Sequence, residues 1–316
     1  MGLGWILLIF VLSALGTLVL GLLLRWVDRK VTALVQWRVG PPWYQPMVDI
    51  LKLMGKENMM PVTARGTLFL LAPIVAFAAT AVAAAILWAA LFYPGATFLG
   101  DLIVVIYLLT IPAIMTIMGA SASGNPHASV GASREMKLLL SYELPMLLAI
   151  LVSVSRGGWT FQLGSLISAQ VATSPTVLSI SGLLAMIIAI LCMQAKLGQV
   201  PFDLAEAECE IMSGVFVEYS GPSLAYWLMT RAMLLAVLPL LVIVVFWGGL
   251  YPTWWGVLTF LVKYVVLVAL VTLIRNTNPR LRIDQTMKFF WFGMTPLAVV
   301  AVILALVGMR EGLSWL

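Results

Sequence analysis

The chain has 316 residues, of which 62% are hydrophobic and only 10% are charged, and its formal net charge is +5. The mean hydropathy of +1.07 excludes a soluble globular domain, in which about 45–50% of residues are usually apolar. The net charge does not indicate a nucleic-acid partner, because the basic residues lie between long apolar segments. We expect an all-α membrane protein in which residues 1–316 form a single integral membrane domain.

Eight apolar stretches are long enough to cross a bilayer as helices, which requires about 20 residues each. The first stretch lacks the basic start of a signal peptide, so we expect it to remain as a mature helix. The predicted spans are residues 4–27, 67–93, 101–121, 136–155, 176–195, 224–250, 254–275 and 289–310.

The basic residues indicate the orientation of these spans. Fourteen of the 18 Lys and Arg residues fall in or beside the loops that follow the odd-numbered spans. Loops rich in Lys and Arg stay in the cytoplasm. We therefore expect a multi-pass protein of the cytoplasmic membrane, in contact with membrane lipids, with these motif-bearing loops on the cytoplasmic side and both termini outside.

The first of these loops contains a predicted amphipathic helix. One helical face collects five apolar residues at the spacing of successive turns, and the polar residues turn away from it. The helix either lies in the membrane interface or packs beneath a partner subunit. The apolar residues are Trp43, Met47, Ile50, Leu51 and Met54, and the polar ones are Asp49, Lys52 and Lys56.

Five acids are concentrated in the loop between the fifth and sixth spans. In hydrocarbon each carboxylate would cost roughly 2.5–3.5 kcal/mol, so we expect them to line a protein-walled or watery cavity. If residues 203–218 form one helix, four acids share a stripe about 120° wide and the fifth lies opposite. This pattern predicts an ion pathway; the alternative is a solvated surface helix. The stripe is Asp203, Glu206, Glu210 and Glu218, and the fifth acid is Glu208.

Glu143 is a further candidate for the pathway, near the start of the fourth span. Pro145 follows it and removes a backbone hydrogen bond, which suits a water-accessible niche. The alternative is an ordinary acid at the membrane interface. Arg231 and Lys263 fall inside predicted spans and need counter-ions, which the sequence does not identify.

No catalytic or metal site is predicted in this chain. Cys192 and Cys209 form no C-x-x-C pair, and His127 is the single histidine. These residues cannot supply the ligand set of a zinc, haem or iron–sulfur site. Any redox centre is therefore expected in a partner protein.

Five motifs together resemble one family of membrane subunits. In respiratory complex I, the subunit of this family joins the electron-transfer arm to the pumping arm. Related subunits occur in membrane-bound group 4 nickel–iron hydrogenases. The motifs are Asp28-Arg29-Lys30 to Gly40-Pro41; Gln45-Pro46 with Asp49, Lys52 and Glu57; Arg134 to Glu143; Pro201-Phe-Asp-Leu with Glu206 and Glu208, then Glu218-Tyr-Ser-Gly221; and Arg275 to Gln285.

The resemblance implies a non-catalytic coupling subunit of an oxidoreductase complex. Its acids would form a buried carboxylate route for H⁺ or Na⁺, and its polar loops would dock the electron-transfer module. The basic residues of those loops either dock a partner specifically or only fix the orientation of the protein in the membrane. The implied docking residues are Asp28, Arg29, Lys30, Arg38, Lys52, Glu57, Arg134, Arg280, Arg282 and Asp284.

The departures from the family pattern favour its hydrogenase-type branch. The approach from Gly40 to Gln45-Pro46 is short, and the loop 121–135 resembles the hydrogenase version. In that branch, hydrogenase-like large and small subunits would carry the nickel–iron and iron–sulfur centres, and antiporter-like membrane subunits would be neighbours. The alternatives are the quinone-site subunit of a complex I-like oxidoreductase and a stand-alone ion transporter.

Overall fold

The computed structural model describes residues 3–250, 253–313 and 315. All regular secondary structure in these residues is helical, which confirms the predicted all-α fold. A π-helical segment, Phe289–Met294, joins α11 to α12, and three short 3-10 turns lie at Pro94–Ala96, Thr176–Leu178 and Gly214–Phe216. The α-helices are α1 Leu3–Val35, α2 Gln45–Met54, α3 Gly66–Phe92, α4 Asp101–Ala122, α5 Pro126–Arg156, α6 Leu163–Ala172, α7 Ile180–Lys196, α8 Glu208–Ile211, α9 Gly221–Phe246, α10 Trp254–Thr277, α11 Ile283–Lys288 and α12 Thr295–Glu311.

Seven helical stretches of the described chain are long and apolar enough to cross a membrane. They correspond to all the predicted spans except the fifth. The fifth becomes α7, which has 17 residues and so falls just short of about 20 residues. It starts late because the 3-10 turn Thr176–Leu178 precedes it and Ser179 caps it, accepting a hydrogen bond from the Gly182 N–H at 3.0 Å.

Helix α9 forms the centre of the bundle. Every residue from Ala232 to Phe246 is buried, and α9 packs against α1, α3, α7 and α10. A helix that is apolar on all sides is expected in the interior of a bundle. The other spans of the described chain are less completely buried than α9.

Close packing of α1 on α9 depends on Gly21. A Cβ atom at this position would overlap the backbone carbonyl of Ala232. Small residues of this kind let two membrane helices approach closely. Leu22 of α1 and Met229 of α9 complete the contact, together with Ile50 of α2.

The segment 121–135, predicted as a loop, is mostly helical. Helix α5 begins at Pro126, and the side chain of Asn125 caps it by accepting a hydrogen bond from the His127 N–H at 2.8 Å. Proline is favoured in the first helical turn, where its missing N–H costs nothing. The helix therefore extends a predicted span toward the acidic loop and carries Arg134 and Glu135 with it.

The acidic segment 203–218 is not one helix, so the predicted single stripe of carboxylates is wrong. It contains only the four-residue α8 and the 3-10 turn Gly214–Phe216. Ala207, Met212 and Ser213 have positive φ angles of 24°, 52° and 69°. Residues in this conformation cannot continue a right-handed helix, so the acids leave the backbone in different directions.

The predicted amphipathic helix is confirmed as α2. Its apolar residues divide between two environments: Ile50 is buried against α1 and α9, whereas Leu51 and Met54 are exposed. Trp43, predicted on the same helical face, lies two residues before the helix begins and is exposed. Asp49 turns toward α1, where it meets Arg29. Placement of the exposed side in the membrane interface or under a partner stays a prediction.

Substitution of Gly21 by Ala is expected to destabilise the bundle by about 1–3 kcal/mol, because the new methyl group forces α1 away from α9. Gly16→Ala is the matched control on the same helix, since a Cβ there would meet nothing within 4 Å. Thermal unfolding of the purified protein in detergent measures both. Equal unfolding temperatures for the two variants would contradict the close approach.

Candidate functional site

Two cavities with charged side chains in their walls lie where the acidic loop meets α1, α5 and α9. The larger has a volume of about 370 Å³ and the smaller about 50 Å³. Asp203, Glu206 and Arg231 line both cavities, so these side chains separate one from the other. The remaining charged residues of the larger cavity are Arg25, Asp28, Arg29 and Arg275, and those of the smaller are Glu135 and Lys196.

The ion pair between Glu206 and Arg231 forms the boundary between the cavities. Glu206 comes from the loop before α8 and Arg231 from the middle of α9. The guanidinium carbon of Arg231 also lies 4.5 Å from the centre of the Phe216 ring, a favourable contact for a cation. The sequence did not identify a counter-ion for Arg231. The structure shows that Glu206 is the counter-ion and that Phe216 packs against the guanidinium group.

Asp203 is held by Arg280 through two hydrogen bonds. The Arg280 Nη2 atom lies 3.0 Å from the Asp203 carboxylate, and Nε donates to the Asp203 backbone carbonyl at 2.7 Å. The Leu281 N–H also donates to the Pro201 carbonyl at 3.0 Å. The planar guanidinium suits such two-pronged binding. These contacts fasten the acidic loop to the loop between α10 and α11.

The far wall of the larger cavity is made by charged residues of α1. Asp28 is only 4% exposed and pairs with Arg275 at the end of α10. Arg29 reaches Asp49 of α2 at 3.2 Å, and Arg25 donates to the Leu228 carbonyl of α9 at 3.2 Å. Charge pairs and hydrogen bonds therefore connect α1 with three other helices.

Glu143 pairs with Lys196 beyond the smaller cavity. The Lys196 Nζ atom lies 3.6 Å from the Glu143 carboxylate, and its side chain is 2% exposed. Lys196 also lines the smaller cavity. It therefore connects the cavity to Glu143, and it is a buried residue of α7 rather than the loop residue that the charge pattern indicated.

The other acids of the predicted stripe line neither cavity. Glu210 is 51% exposed and pairs with Arg134 at 2.6 Å; this hydrogen bond lowers the pKa of Glu210 below its ordinary value. Glu218 accepts a hydrogen bond from the Asn125 side chain at 2.5 Å. The side chain of Glu208 lies outside the described part of the structure. Two members of the predicted stripe thus reach the cavities and two do not.

Comparison with known proteins identifies the family. A family model described as NADH dehydrogenase matches residues 6–306. The chain belongs to this family. It is 33% identical to an NADH-quinone oxidoreductase subunit of Anoxybacillus flavithermus, with 92% of this chain and 89% of the relative covered.

The corresponding subunit of Geobacillus thermodenitrificans is also 33% identical, over 97% of this chain and 93% of the relative. Among solved structures, a chain of the membrane-bound sulfane sulfur reductase (MBS), an archaeal respiratory membrane complex, is 32% identical. It superimposes with a TM-score of 0.86 and covers 95% of this chain and 99% of its own. These matches confirm the predicted resemblance to membrane subunits of the complex I type.

The predicted docking residues of this family member divide into inward-facing and outward-facing groups. Asp28 is buried in the cavity wall, where it pairs with Arg275, and its role in docking stays a prediction. Lys30 contacts the Gly40 carbonyl at 3.5 Å, and Arg29, Arg134 and Arg280 are all paired with acids. The exposed residues are Arg38, Lys52, Glu57, Arg282 and Asp284.

Sequence reasoning missed three members of the site: Arg25, Glu135 and Lys196. Each was assigned to a loop or to general positive charge. The signal that could have found them is a charged residue inside a continuous helical stretch, which usually marks a partner or a water-filled cavity. For Glu135 that signal was hidden, because Gly131 and the preceding Ser- and Gly-rich residues suggested a loop.

Substitution of Arg231 by Met is expected to destabilise the protein by about 3 kcal/mol, since it leaves Glu206 unpaired in a confined site. Adding Glu206→Gln to Arg231→Met should recover part of the loss, because the uncompensated charge is removed. A double-mutant cycle on thermal unfolding in detergent measures this coupling.

Arg310→Met is the control for this cycle, since Arg310 is an exposed cation at the end of α12. It should change the unfolding temperature little. Strictly additive effects of Arg231→Met and Glu206→Gln would show that the pair does not interact.

Proposed function

We propose that this protein is the ion-translocating coupling subunit of a membrane-bound redox complex of the hydrogenase type. It carries no redox centre itself. It anchors the electron-transfer module and links redox events there to H⁺ or Na⁺ movement through charged side chains. The nickel–iron and iron–sulfur centres would belong to hydrogenase-like large and small subunits, and antiporter-like subunits would continue the route in the membrane.

The observation that carries this proposal is the series of alternating charges across the two cavities. It runs from Asp28–Arg275 through Asp203–Arg280 and Glu206–Arg231 to Lys196–Glu143. Ionisable groups at membrane depth face the protein interior or water and typically mark ion routes. A stand-alone transporter is less favoured, because the relatives are subunits by name.

Charge displacement supplies a physical route for coupling. When one member of an ion pair changes its protonation or position, its partner is left uncompensated in a poorly hydrated space, and the next pair responds. Arg280 connects Asp203 directly to the loop 278–282. We propose that this loop faces the electron-transfer module. A redox event felt by that loop would therefore reach Asp203 first.

The exposed polar residues support a docking role for one end of the bundle. Arg38, Lys52 and Glu57 lie in the segment around α2, and Arg282 and Asp284 lie at the start of α11. Exposed charges commonly set the orientation of a partner and the rate at which it associates. By the positive-inside rule we place this end in the cytoplasm and both termini on the outer side.

The lining of the larger cavity supports the hydrogenase-type branch over a quinone-site subunit. Ligand pockets for apolar molecules are lined mainly by hydrophobic and aromatic side chains. Charged residues make up seven of the twelve lining residues here, and none is aromatic. The second candidate function, a quinone-site subunit, is favoured by the names of the two bacterial relatives.

Replacing Glu143 or Glu206 with Gln is expected to reduce ion translocation per electron by at least about tenfold, because Glu143→Gln removes a proton acceptor and Glu206→Gln leaves Arg231 without its compensating charge. The native complex in sealed vesicles, energised with its electron donor, allows ion flux and electron flux to be measured together. Glu311→Gln at the exposed end of α12 is the matched control. Full coupling in both site variants would contradict the proposed pathway.

The electron acceptor can be determined on the purified native complex. We expect a co-purifying large subunit with two C-x-x-C pairs, and hydrogen production from reduced ferredoxin without added quinone. Electron flow that requires quinone and stops with a quinone-site inhibitor would favour the second candidate instead.

A further inference from the structure

Glu135 is the acid of the smaller cavity that the ion-pair series does not include. It lies on α5, nine residues after the start of the helix, and shares the cavity with Lys196, Arg231, Asp203 and Glu206. Its position results from a close approach of α5 to the acidic loop. A Cβ atom at Gly131 would lie 2.9 Å from the Ala205 carbonyl oxygen, so a glycine one turn before Glu135 permits this packing.

The other acids of the series each have a cation. Asp203 has Arg280, Glu206 has Arg231 and Glu143 has Lys196. Across residues 3–250, 253–313 and 315, no basic side chain lies within ion-pair distance of Glu135. The neighbouring Arg134 turns outward to Glu210 instead. The two cations of the smaller cavity, Lys196 and Arg231, are paired with Glu143 and Glu206 instead of Glu135.

This difference matters for a proton route. A cation that lies against an acid favours its charged form over its neutral form. A relay group must alternate between a charged and a neutral state. Asp203 and Glu206 are suited to holding charge in place, whereas Glu135 shares its cavity with these two carboxylates, and nearby like charges disfavour its ionised form.

The position of Glu135 also connects it to the next acid. Glu143 lies eight residues further along α5, about 12 Å away along the helix axis. Lys196 lines the cavity of Glu135 and pairs with Glu143. A volume of about 50 Å³ has room for a few water molecules, each of which needs about 10–15 Å³ of such space. Water and Lys196 can thus bridge the two acids.

We propose that Glu135 is the proton-holding acid of this route and that Asp203 and Glu206, with their arginines, act as fixed charges beside it. A proton arriving from the larger cavity adds to the Glu135 carboxylate. It then passes to the Glu143 carboxylate, which takes up the proton as Glu135 becomes ionised again, so one positive charge moves along α5. This inference rests on the proposed coupling function and assigns its central step to a specific residue.

The test compares Glu135→Gln and Glu135→Asp in the native complex, with Glu311→Gln as the control. Infrared difference spectra during turnover detect the carbonyl band of a protonated carboxyl group. We expect Glu135→Gln to lose one such band and to reduce protons moved per electron about tenfold or more. Glu135→Asp should keep a band at a shifted frequency and recover part of the proton movement, and the control should match the unmodified complex.

Persistence of every carboxyl band in Glu135→Gln would overturn the assignment. So would normal proton movement in Glu135→Gln when Glu143→Gln abolishes it, and in that case the coupling function would stand. Normal ion movement in Glu135→Gln, Glu143→Gln and Glu206→Gln together would reject the coupling function itself. If Glu135→Gln does not assemble, an unshifted band in Glu135→Asp would equally overturn the proposal.

Discussion

Charge compensation inside an apolar helical bundle is the constraint on which this structure depends. An ionised side chain in a bilayer is tolerated when it has a counter-ion, a hydrogen-bond partner or water. The pairs Asp28–Arg275, Glu206–Arg231 and Glu143–Lys196 each join helices or loops that are far apart in the chain. The interactions that make these charges tolerable therefore also fix how the helices are arranged around α9.

The irregular acidic segment also depends on its surroundings, because its backbone polar groups are not all paired within a helix. Non-helical backbone is tolerated at membrane depth only where protein or a water-filled cavity surrounds it. Here α5 lies close to the segment through Gly131, and α9 covers it with Trp227, which packs against Phe216 and Tyr219. Because the segment breaks into short turns, Asp203 and Glu206 point inward while Glu210 points outward. The irregular backbone thus allows Asp203 and Glu206, but not Glu210, to line the cavities.

In the proposed mechanism, paired and unpaired acids have different tasks. The arginine-bound carboxylates keep a fixed electrostatic field across the two cavities, and Glu135 exchanges a proton within that field. Arg280 connects this field to the loop before α11, and Lys196 connects it to Glu143. Coupling in this arrangement requires only small shifts of charge, since each pair shares a cavity wall with the next.

The amino-acid sequence by itself determined the membrane class, the positions of the long spans, the amphipathic α2 and the family, because these depend on local hydropathy and on short motifs. Only the tertiary structure decided which acids meet which cations. The helical period placed Glu210 and Glu218 beside Asp203, but left-handed residues at Ala207 and Met212 separated them. Glu135 and Lys196 entered the site through contacts between distant segments. Such contacts depend on packing in three dimensions, which the local pattern of a single sequence does not contain.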